Sequence, residues 1–355
     1  MHYQEERIHV GMAAYGLSGR VFHGPLLTAH PGFHLQTILQ RSRQDARQQY
    51  PNIQIARAFE DLLADSTIEL VIINTPEHLH TEMARQALLA GKHVVVEKAF
   101  TPTVREAQSL IALAREQGKV LSVFQNSRWH GDFLTIKKVL EQNLLGEVVE
   151  YEAHYDRFRN YIQPDSWKED PLPGTGVLYN LGSHMIDQVL VLFGWPEAVM
   201  ADLRIQRPGG RVHDNFEVVL HYPQLKVTLK SSYLVREPGP RYVLQGTEGT
   251  FMKYGADAQE SLLKAGRSPL DEGWGSEPKK LWGKLNSQVQ GLHFEGQLET
   301  IPGSYLGYYD NIYKAIRTNA ALAVTPEQAM QTIAIIEAAQ RSHEEKRVVV
   351  LEASP

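Results

Sequence analysis

The stretch Val10-Gly11-Met12-Ala13-Ala14-Tyr15-Gly16-Leu17-Ser18-Gly19-Arg20 decides the predicted fold, because it joins an apolar strand to a helix through a glycine-rich turn. It matches the G-x-G-x-x-G pattern of a dinucleotide-binding turn, except that Ala14 replaces the first glycine. In such a turn the bare backbone of Gly16 approaches the pyrophosphate, and Gly19 lets the helix pack closely on the strand. Since alanine disfavours a positive φ, we expect a slightly altered turn, and an ordinary strand-to-helix turn is the alternative interpretation. The predicted cofactor contacts here are Ala14, Gly16, Leu17, Ser18 and Gly19.

Strands and helices alternate with short connections over the first third of the chain. The pattern predicts strands at 8–14, 34–39, 54–56, 70–74, 93–97 and 120–124, and helices at 19–29, 43–50, 59–64, 80–90 and 104–116. Such alternation is typical of a parallel sheet with helices on both faces. We therefore expect residues 1–125 to form a doubly wound α/β domain of the Rossmann type that binds NAD(P).

Longer alternating strands replace this pattern after residue 125. They are predicted at 148–158, 198–206, 216–221, 227–234, 242–246 and 348–351, with helices at 133–143, 183–193, 308–317 and 327–345. Residues 255–303 are rich in Gly, Pro, Lys and Ser without a clear period, so we expect a long loop region there. Residues 126–355 are thus predicted to be an α+β domain with a large, mostly antiparallel open sheet, which holds the substrate. An open sheet face must be covered, which predicts a homo-dimer or homo-tetramer.

Composition excludes several classes of protein. The chain has 36 basic and 41 acidic residues, a net charge of −5, which argues against a general nucleic-acid binder. It has no cysteine, so disulfides, thiolate metal sites and a catalytic thiol are excluded. The segment Met1–Arg7 has no apolar run typical of a secretory signal, and no stretch approaches the ~18 apolar residues of a membrane span. We expect a cytoplasmic protein that binds neither nucleic acid nor membranes.

The end of the second predicted strand bears on the choice of cofactor. An NAD site usually has an acidic residue here that binds the ribose 2′-hydroxyl. The sequence instead reads Gln40-Arg41-Ser42-Arg43. Arg41, Ser42 and Arg43 are suited to a 2′-phosphate, which favours NADP, with NAD as the open alternative. A solvated surface run of arginines is the structural interpretation.

The strand predicted at 93–97 ends in Glu97, and Lys98 follows it. The carboxyl end of a parallel strand is where ligands bind in open α/β sheets. Lys98 is therefore a candidate for donating a hydrogen bond to a substrate oxygen and for orienting the nicotinamide. Elsewhere in a sequence, a lysine of this kind would be taken as an ordinary surface residue.

A second constellation spans Gly174 to Asp187. Asn180, His184 and Asp187 lie four and three residues apart and share one face if a helix begins near Asn180. A histidine here can take a hydroxyl proton while hydride leaves the same carbon, because its usual pKa lies near working pH. A buried structural histidine is the alternative. No third metal ligand stands out and no G-x-S-x-G elbow is present, so we predict neither a metal site nor Ser-His-Asp hydrolysis.

Together these residues resemble the Gfo/Idh/MocA oxidoreductase family over nearly the whole chain. The likeness rests on the glycine-rich turn, Asn74-Thr75-Pro76-Glu77-His78-Leu79-His80, Glu97-Lys98, and Gly174 to Asp187. The segment 16–23 looks like the NADP-preferring scyllo-inositol dehydrogenase branch. Three positions depart from the family pattern, namely Ala14, Ala99 in place of the proline of E-K-P, and Asn180 in place of an aspartate.

The resemblance implies roles for individual residues. The family's cofactor- and substrate-contacting lysine falls on Lys98, its catalytic histidine on His184, and the aspartate four residues earlier on Asn180, which is counted with the catalytic set. The positions it places along the cofactor are Thr75, Pro76, His80, Glu97 and Lys98. The positions it places near the substrate are Asn126, Trp129, Arg157, Trp167, Asp187, Tyr305 and Tyr309. Structural roles are the alternative for each, because aromatic side chains mostly pack in cores and arginines mostly pair on surfaces.

The sequence thus predicts an NADP-dependent oxidoreductase that moves a hydride between nicotinamide and a secondary alcohol or ketone of a polyol, inositol or sugar. Two alternatives stay open. The departures at Ala14, Ala99 and Asn180 suit a dinucleotide-binding sensor or regulator with weak or no catalysis. A reductase of a ring imine or an anhydrosugar would share the same motifs, because the pocket shape depends on loops that the sequence does not define.

Overall fold

A computed structural model describes residues 7–355, so the rest of the segment predicted to lack a secretory signal lies outside the described residues. The chain divides into two compact units. The first joins the residues up to Trp129 with Gln259–Trp274 and Ser304–Met330. The second joins His130–Ala258, Gly275–Gly303 and Gln331–Pro355. Among residues 7–355, none of the helices combines the length and the hydropathy needed to cross a bilayer.

The first unit contains a six-stranded sheet in which every strand pair is parallel. Its strands are β1 (Ile8–Met12), β2 (Phe33–Leu39), β3 (Gln54–Ala56), β4 (Leu70–Ile73), β5 (His93–Val96) and β6 (Leu121–Val123). The order is β3-β2-β1-β4-β5-β6, the doubly wound order in which ligands bind where the strand order reverses, beside β1 and β4. All four residues of β4 are fully buried, so both faces of the sheet are covered there. The predicted fold of this part is confirmed.

The second unit contains a nine-stranded sheet of order β14-β13-β12-β11-β7-β10-β9-β8-β15. Its strands are β7 (Val148–His154), β8 (Ala198–Arg204), β9 (Asn215–His221), β10 (Lys226–Ser232), β11 (Tyr242–Gly246), β12 (Gly249–Lys253), β13 (Gly283–Val289), β14 (Leu292–Leu298) and β15 (Val349–Val350). Only β7 and β10 pair in parallel, which confirms the mostly antiparallel sheet. Tyr151, Ala153 and Leu229 are fully buried, and along β7 the neighbours Glu150, Glu152 and His154 are partly exposed.

Helices connect these strands. In chain order they are α1 (Gly24–Ala29), α2 (Ala46–Gln49), α3 (Phe59–Ala64), α4 (His80–Leu89), α5 (Val104–Glu116), α6 (Gly131–Glu141), α7 (Ser183–Phe193), α8 (Gln259–Lys264), α9 (Leu306–Thr318) and α10 (Pro326–Glu345). Two of them, α1 and α7, are preceded by π-helical turns, at Gly19–His23 and Leu178–Gly182. Such turns are rare and occur often at functional sites. Both lie in motifs that the sequence analysis selected.

The prediction of a long loop at 255–303 is wrong. This region contains α8 and the hairpin of β13 and β14, and the sequence analysis also missed β12. The hairpin turn has positive φ at Gln290 (50°) and Gly291 (81°), the backbone of a tight two-residue turn. Strand β13 buries Gly283, Leu285 and Ser287. Because only one of these has a large apolar side chain, the strand shows almost no hydrophobic periodicity.

Candidate active site

The glycine-rich turn leaves the carboxyl end of β1 and is held by β4. The backbone N–H of Ala14 donates to Asn74 Oδ1 at 2.9 Å, and Asn74 Nδ2 donates to the Ala14 carbonyl at 2.9 Å. Ala14 does not adopt a positive φ, so alanine is accommodated without strain. Asn74 was quoted only as part of a motif, and its role as the clamp of this turn was missed.

The two glycines of the turn differ in their surroundings. A Cβ on Gly16 would meet nothing within 4 Å, and neighbouring Leu17 is 51% exposed. A Cβ on Gly19 would lie 2.7 Å from the Ala14 carbonyl oxygen and 2.9 Å from Asn74 Nδ2. Gly19 therefore permits the close packing of helix on strand, whereas Gly16 leaves open space beside the turn.

Buried polar atoms at two strand ends support the fit of a dinucleotide. Thr75 Oγ1, after β4, and both amide atoms of Gln125, after β6, are buried without a hydrogen-bond partner among the described residues. Buried polar groups normally have partners, so such atoms at the ligand-binding edge suit a ligand that brings hydroxyl, phosphate and amide groups. With the open space at Gly16, the residues present fit NAD(P).

The loop after β2 carries Arg41, Ser42 and Arg43, all of them exposed. A surface cavity lies along this loop and α2, and it is lined by Ser42, Arg43, Gln44, Asp45, Arg47 and Gln48. Arg57 shapes the loop, because its Nη1 donates to the carbonyls of Gln40 at 2.8 Å and Arg43 at 2.6 Å. The nearby carboxylate of Asp45 accepts the side-chain amide of Gln40.

Glu97 and Lys98 follow β5, as predicted. Glu97 is 9% exposed, and its Oε2 accepts the backbone N–H of Lys98 at 3.1 Å. Lys98 is half-buried, and the Lys98–Ala99 peptide bond is cis. Lys98 thus lies at the edge of the sheet where the sequence analysis expected a ligand.

His80 and Thr75 follow β4, and Pro76 lies between them. His80 is fully buried, with Nδ1 3.0 Å from the Phe100 carbonyl and Nε2 2.9 Å from the Thr75 carbonyl. Its ring braces two loops from inside the first unit.

Three further predicted residues also belong to the first unit. Asn126 and Trp129 bound a 3₁₀ turn after β6, in which Asn126 is buried. The Trp129 ring packs edge-on against Tyr308 at 5.6 Å between centroids. Tyr305 is 1% exposed, and its backbone N–H donates to Gln259 Oε1 at 2.8 Å. Trp129 and Tyr305 thus both contact neighbouring residues within this unit.

The histidine motif lies in the second unit. Its helical part begins at Leu178 with the π-helical turn and continues into α7, slightly before the expected start near Asn180. Asn180 Nδ2 donates to the hydroxyl of Tyr233 at 3.2 Å. His184 is half-buried in the first turn of α7, and Asp187 is 1% exposed.

Tyr233 is a candidate site residue that the sequence analysis missed. Two guanidinium groups lie near its ring, with Arg207 Cζ 4.9 Å and Arg159 Cζ 5.7 Å from the ring centroid. Arg207 is itself buried and paired with Glu169 and Asp214, each at 2.8 Å. Tyr233 is thus a fixed anchor for Asn180, and only the fold brings its strand end to the histidine motif.

Arg157 and Trp167 lie in the second unit too. The backbone N–H of Arg157 donates to the Ser232 carbonyl at 2.9 Å, beside the strand that leads to Tyr233. Trp167 begins a 3₁₀ turn, and Lys168 Nζ lies 5.5 Å from its ring centroid. The second unit thus contains five of the predicted site residues, namely Arg157, Trp167, Asn180, His184 and Asp187. Among the described residues, no group of three or more His, Asp or Glu is placed to hold a metal ion.

Comparisons with known proteins agree with this architecture. Residues 8–125 match the NAD-binding Rossmann fold of the Gfo/Idh/MocA oxidoreductase family, and residues 137–351 match its C-terminal alpha/beta domain. The chain is 42% identical to the scyllo-inositol 2-dehydrogenase (NADP(+)) of Bacillus subtilis, over 98% of this chain and 97% of that protein. It is 39% identical to the uncharacterized oxidoreductase YdgJ of Escherichia coli, over 94% of this chain and 95% of that protein.

A solved structure of a Bacillus subtilis oxidoreductase superposes with a TM-score of 0.93 at 41% identity, covering 98% of this chain and 99% of that one. The family matches cover both the dinucleotide turn and the histidine helix. The protein therefore belongs to the Gfo/Idh/MocA family of oxidoreductases, with an NAD(P)-binding Rossmann domain.

Proposed function

We propose that the protein is an NADP-dependent dehydrogenase or reductase acting on a secondary alcohol or ketone of a polyol, inositol or sugar. The observation that carries the proposal is the half-buried His184 on α7, one turn after an Asn180 that is anchored to Tyr233. An imidazole at this position, partly exposed on a helix, suits proton transfer to and from a hydroxyl group. The likeness over nearly the full length to a scyllo-inositol 2-dehydrogenase (NADP(+)) supports the same substrate class.

In this proposal, different side chains of the protein have separate roles in the reaction. Lys98 donates a hydrogen bond to the substrate oxygen, and His184 accepts the hydroxyl proton in the oxidation direction. Asn180 and Tyr233 keep the histidine helix in place. The bound cofactor supplies the hydride acceptor or donor. Candidate substrate contacts are Asn126, Trp129, Arg157, Trp167, Asp187 and Tyr305.

Initial rates with purified protein test the proposal. NADP and NAD reduction would be followed at mildly alkaline pH with scyllo-inositol, myo-inositol, glucose and xylose. Turnover with NADP and at least one polyol is the expected result. NADPH binding without turnover of any substrate, with Lys98→Ala as the control, would favour a sensor or regulator instead.

The loop after β2 makes a prediction about cofactor preference. Replacing Arg43 with alanine is expected to raise KM for NADP by about tenfold and to leave KM for NAD nearly unchanged, since a charge-assisted bond to a 2′-phosphate contributes about 1.5–3 kcal/mol. Steady-state kinetics with both cofactors measures this. Arg47→Ala, on the same cavity, is a second variant of the same kind, and Arg85→Ala on α4 is the surface control. Equal effects on NADP and NAD would contradict the assignment.

A substitution at Asn180 is expected to change the pH dependence of catalysis. A carboxylate at this position would favour a protonated His184 and raise its pKa. Alcohol oxidation needs the neutral ring, so Asn180→Asp should move the rising limb of the kcat profile to higher pH and increase kcat on its plateau. Asn180→Ala is the matched control, because it removes the bond to Tyr233 without adding charge. Unchanged rates and an unchanged pH profile in Asn180→Asp would contradict this role.

The second sheet predicts self-association. One face of this sheet carries a row of residues in direct register across six strands, Met200, Val219, Thr228, Glu152, Val243 and Met252. All of them are at least partly exposed except Thr228, which is buried. A mostly apolar row on an open sheet suits a second copy of the chain. We expect a dimer or tetramer by light scattering after size-exclusion chromatography, and dissociation in Val219→Glu, with Lys284→Glu on β13 as the control. A wild-type protein that elutes as a monomer at micromolar concentration would refute this.

A further inference from the structure

Three polar side chains from separate elements of the first unit meet in its interior. His23 ends the π-helical turn that follows the glycines, Glu97 follows β5, and Tyr309 lies on α9. His23 and Tyr309 are fully buried. His23 Nε2 lies 3.0 Å from Glu97 Oε1, and His23 Nδ1 lies 2.6 Å from the Tyr309 hydroxyl. The proposed reaction uses none of these contacts.

The chemistry of the partners assigns the protons. A carboxylate only accepts, so His23 Nε2 carries a proton and donates it to Glu97. The Tyr309 hydroxyl donates to Nδ1 when the ring is neutral and accepts from it when the ring is charged. Burial raises the pKa of Tyr309 well above its usual value, so the hydroxyl keeps its proton. The histidine therefore has a partner on both sides in either ring state.

Glu97 passes this arrangement on to Lys98. Burial alone would raise the pKa of Glu97, but the hydrogen bond from His23 and the nearby charges of His23, Lys98 and His80 lower it. One carboxylate oxygen accepts from His23, and the other accepts the backbone N–H of Lys98 at 3.1 Å. The carboxylate thus joins the helix of the glycine turn to the backbone of the lysine.

A buried ionisable pair needs a reason, because apolar side chains of similar volume would fill the same space without the cost of desolvation. We infer that His23 and Glu97 are positioning residues for Lys98, keeping the lysine in register with the dinucleotide turn, with Tyr309 holding His23. The inference rests on the proposed function for the use of Lys98. The contacts themselves involve only residues of the first unit.

Two amide substitutions, His23→Gln and His23→Asn, test the two ring nitrogens of His23 separately. The amide of glutamine reaches the position of Nε2 and retains a donor to Glu97, whereas the amide of asparagine reaches only the position of Nδ1. Glu97→Gln keeps the shape of Glu97 but has one accepting oxygen for two donors. Tyr308→Phe is the matched control, because it removes a buried hydroxyl from the same helix that bonds to Ser122 rather than to His23.

Two readouts report on Lys98 directly. The first is the rate at which acetic anhydride modifies Lys98, read by mass spectrometry against pH, with Lys119 as the internal reference. Glu97→Gln should shift the midpoint for Lys98 to lower pH, because the lost negative charge makes the neutral amine easier to form. His23→Asn should shift it in the same direction, because the buried carboxylate of Glu97 loses its donor and then takes up a proton more readily. The second is the split of steady-state parameters. These two variants should lose about 10²-fold in kcat and show a smaller rise in KM for NADP, since small misplacements have effects of this size on the reacting centre.

His23→Gln should recover most of the wild-type behaviour, and Tyr308→Phe should match the wild type in both readouts. Folded His23→Asn and Glu97→Gln proteins with wild-type modification profiles at Lys98 would overturn the inference. If His23→Asn does not fold, the isosteric Glu97→Gln alone decides. A wild-type protein that binds NADPH but oxidises no polyol would refute the proposed function, while the modification profiles would still decide whether Glu97 positions Lys98.

Discussion

Replacing His184 with asparagine is expected to lower kcat for polyol oxidation by about 10²–10⁴-fold, the usual contribution of general acid–base catalysis. Asparagine retains a polar group of similar reach but cannot take up a proton near neutral pH. KM for NADP should change little, because the assigned role of His184 is in proton transfer and not in cofactor binding. Steady-state rates across pH 6–10 measure both effects.

The pH profile distinguishes proton transfer from packing. If His184 is the base, the remaining activity of His184→Asn should rise with hydroxide concentration and show no limb near neutral pH. His221→Asn, on β9 of the same unit, is the control and should keep the wild-type profile. A reduced rate with an unaltered acid limb would mean that His184 only supports the structure.

Replacing Lys98 with methionine is expected to lower kcat by about 10²–10³-fold in both reaction directions, the effect of removing one donor to a developing oxyanion. Methionine keeps the length of the side chain and removes its charge and donors. Because Lys98 is also assigned to the nicotinamide, the affinity for NADPH should fall, and the fluorescence of bound NADPH measures this. Lys119→Met, a half-buried lysine before β6, is the control.

Lys98→Arg tests the geometry of the same position. A guanidinium retains the charge but presents its donors in a planar fork rather than at a point. Partial activity in Lys98→Arg and none in Lys98→Met would indicate that charge is needed. Loss of less than about threefold in Lys98→Met would contradict a role in stabilising the substrate oxygen, because it corresponds to well under 1 kcal/mol.

Regular local patterns could be predicted from the sequence. The predictions of Val104–Glu116 and Ser183–Phe193 as helices are confirmed residue for residue, because apolar periodicity and clear stop signals coincide. The first of these begins at a Thr103 side chain that accepts the Glu106 N–H, and the second ends at Gly194 with a positive φ of 74°. The parallel sheet followed from the same local signals.

Contacts between distant segments could not be predicted. The pairing of Tyr233 with Asn180 and that of Tyr309 with His23 join residues 53 and 286 positions apart. No local periodicity encodes such contacts, since in the sequence alone each of the two tyrosines is typical of an ordinary buried aromatic residue. The strands β13 and β14 were missed for a different reason. Their backbones pair along their whole length, but their side chains are mostly polar and show no hydrophobic alternation.

The assembly of the first unit from distant segments has a consequence for the growing chain. Arg317 donates to both carboxylate oxygens of Glu69 at 2.7 Å, and Tyr308 donates to Ser122 at 3.1 Å, so α9 completes contacts of the six-stranded sheet. During synthesis these partners leave the ribosome nearly 200 residues after β6, although domains usually fold in the order in which they emerge. Until α9 emerges, Glu69 lacks its guanidinium partner and Ser122 lacks the Tyr308 hydroxyl, although all six strands of the sheet have been translated. A truncated chain ending near residue 125 would carry the same defect permanently.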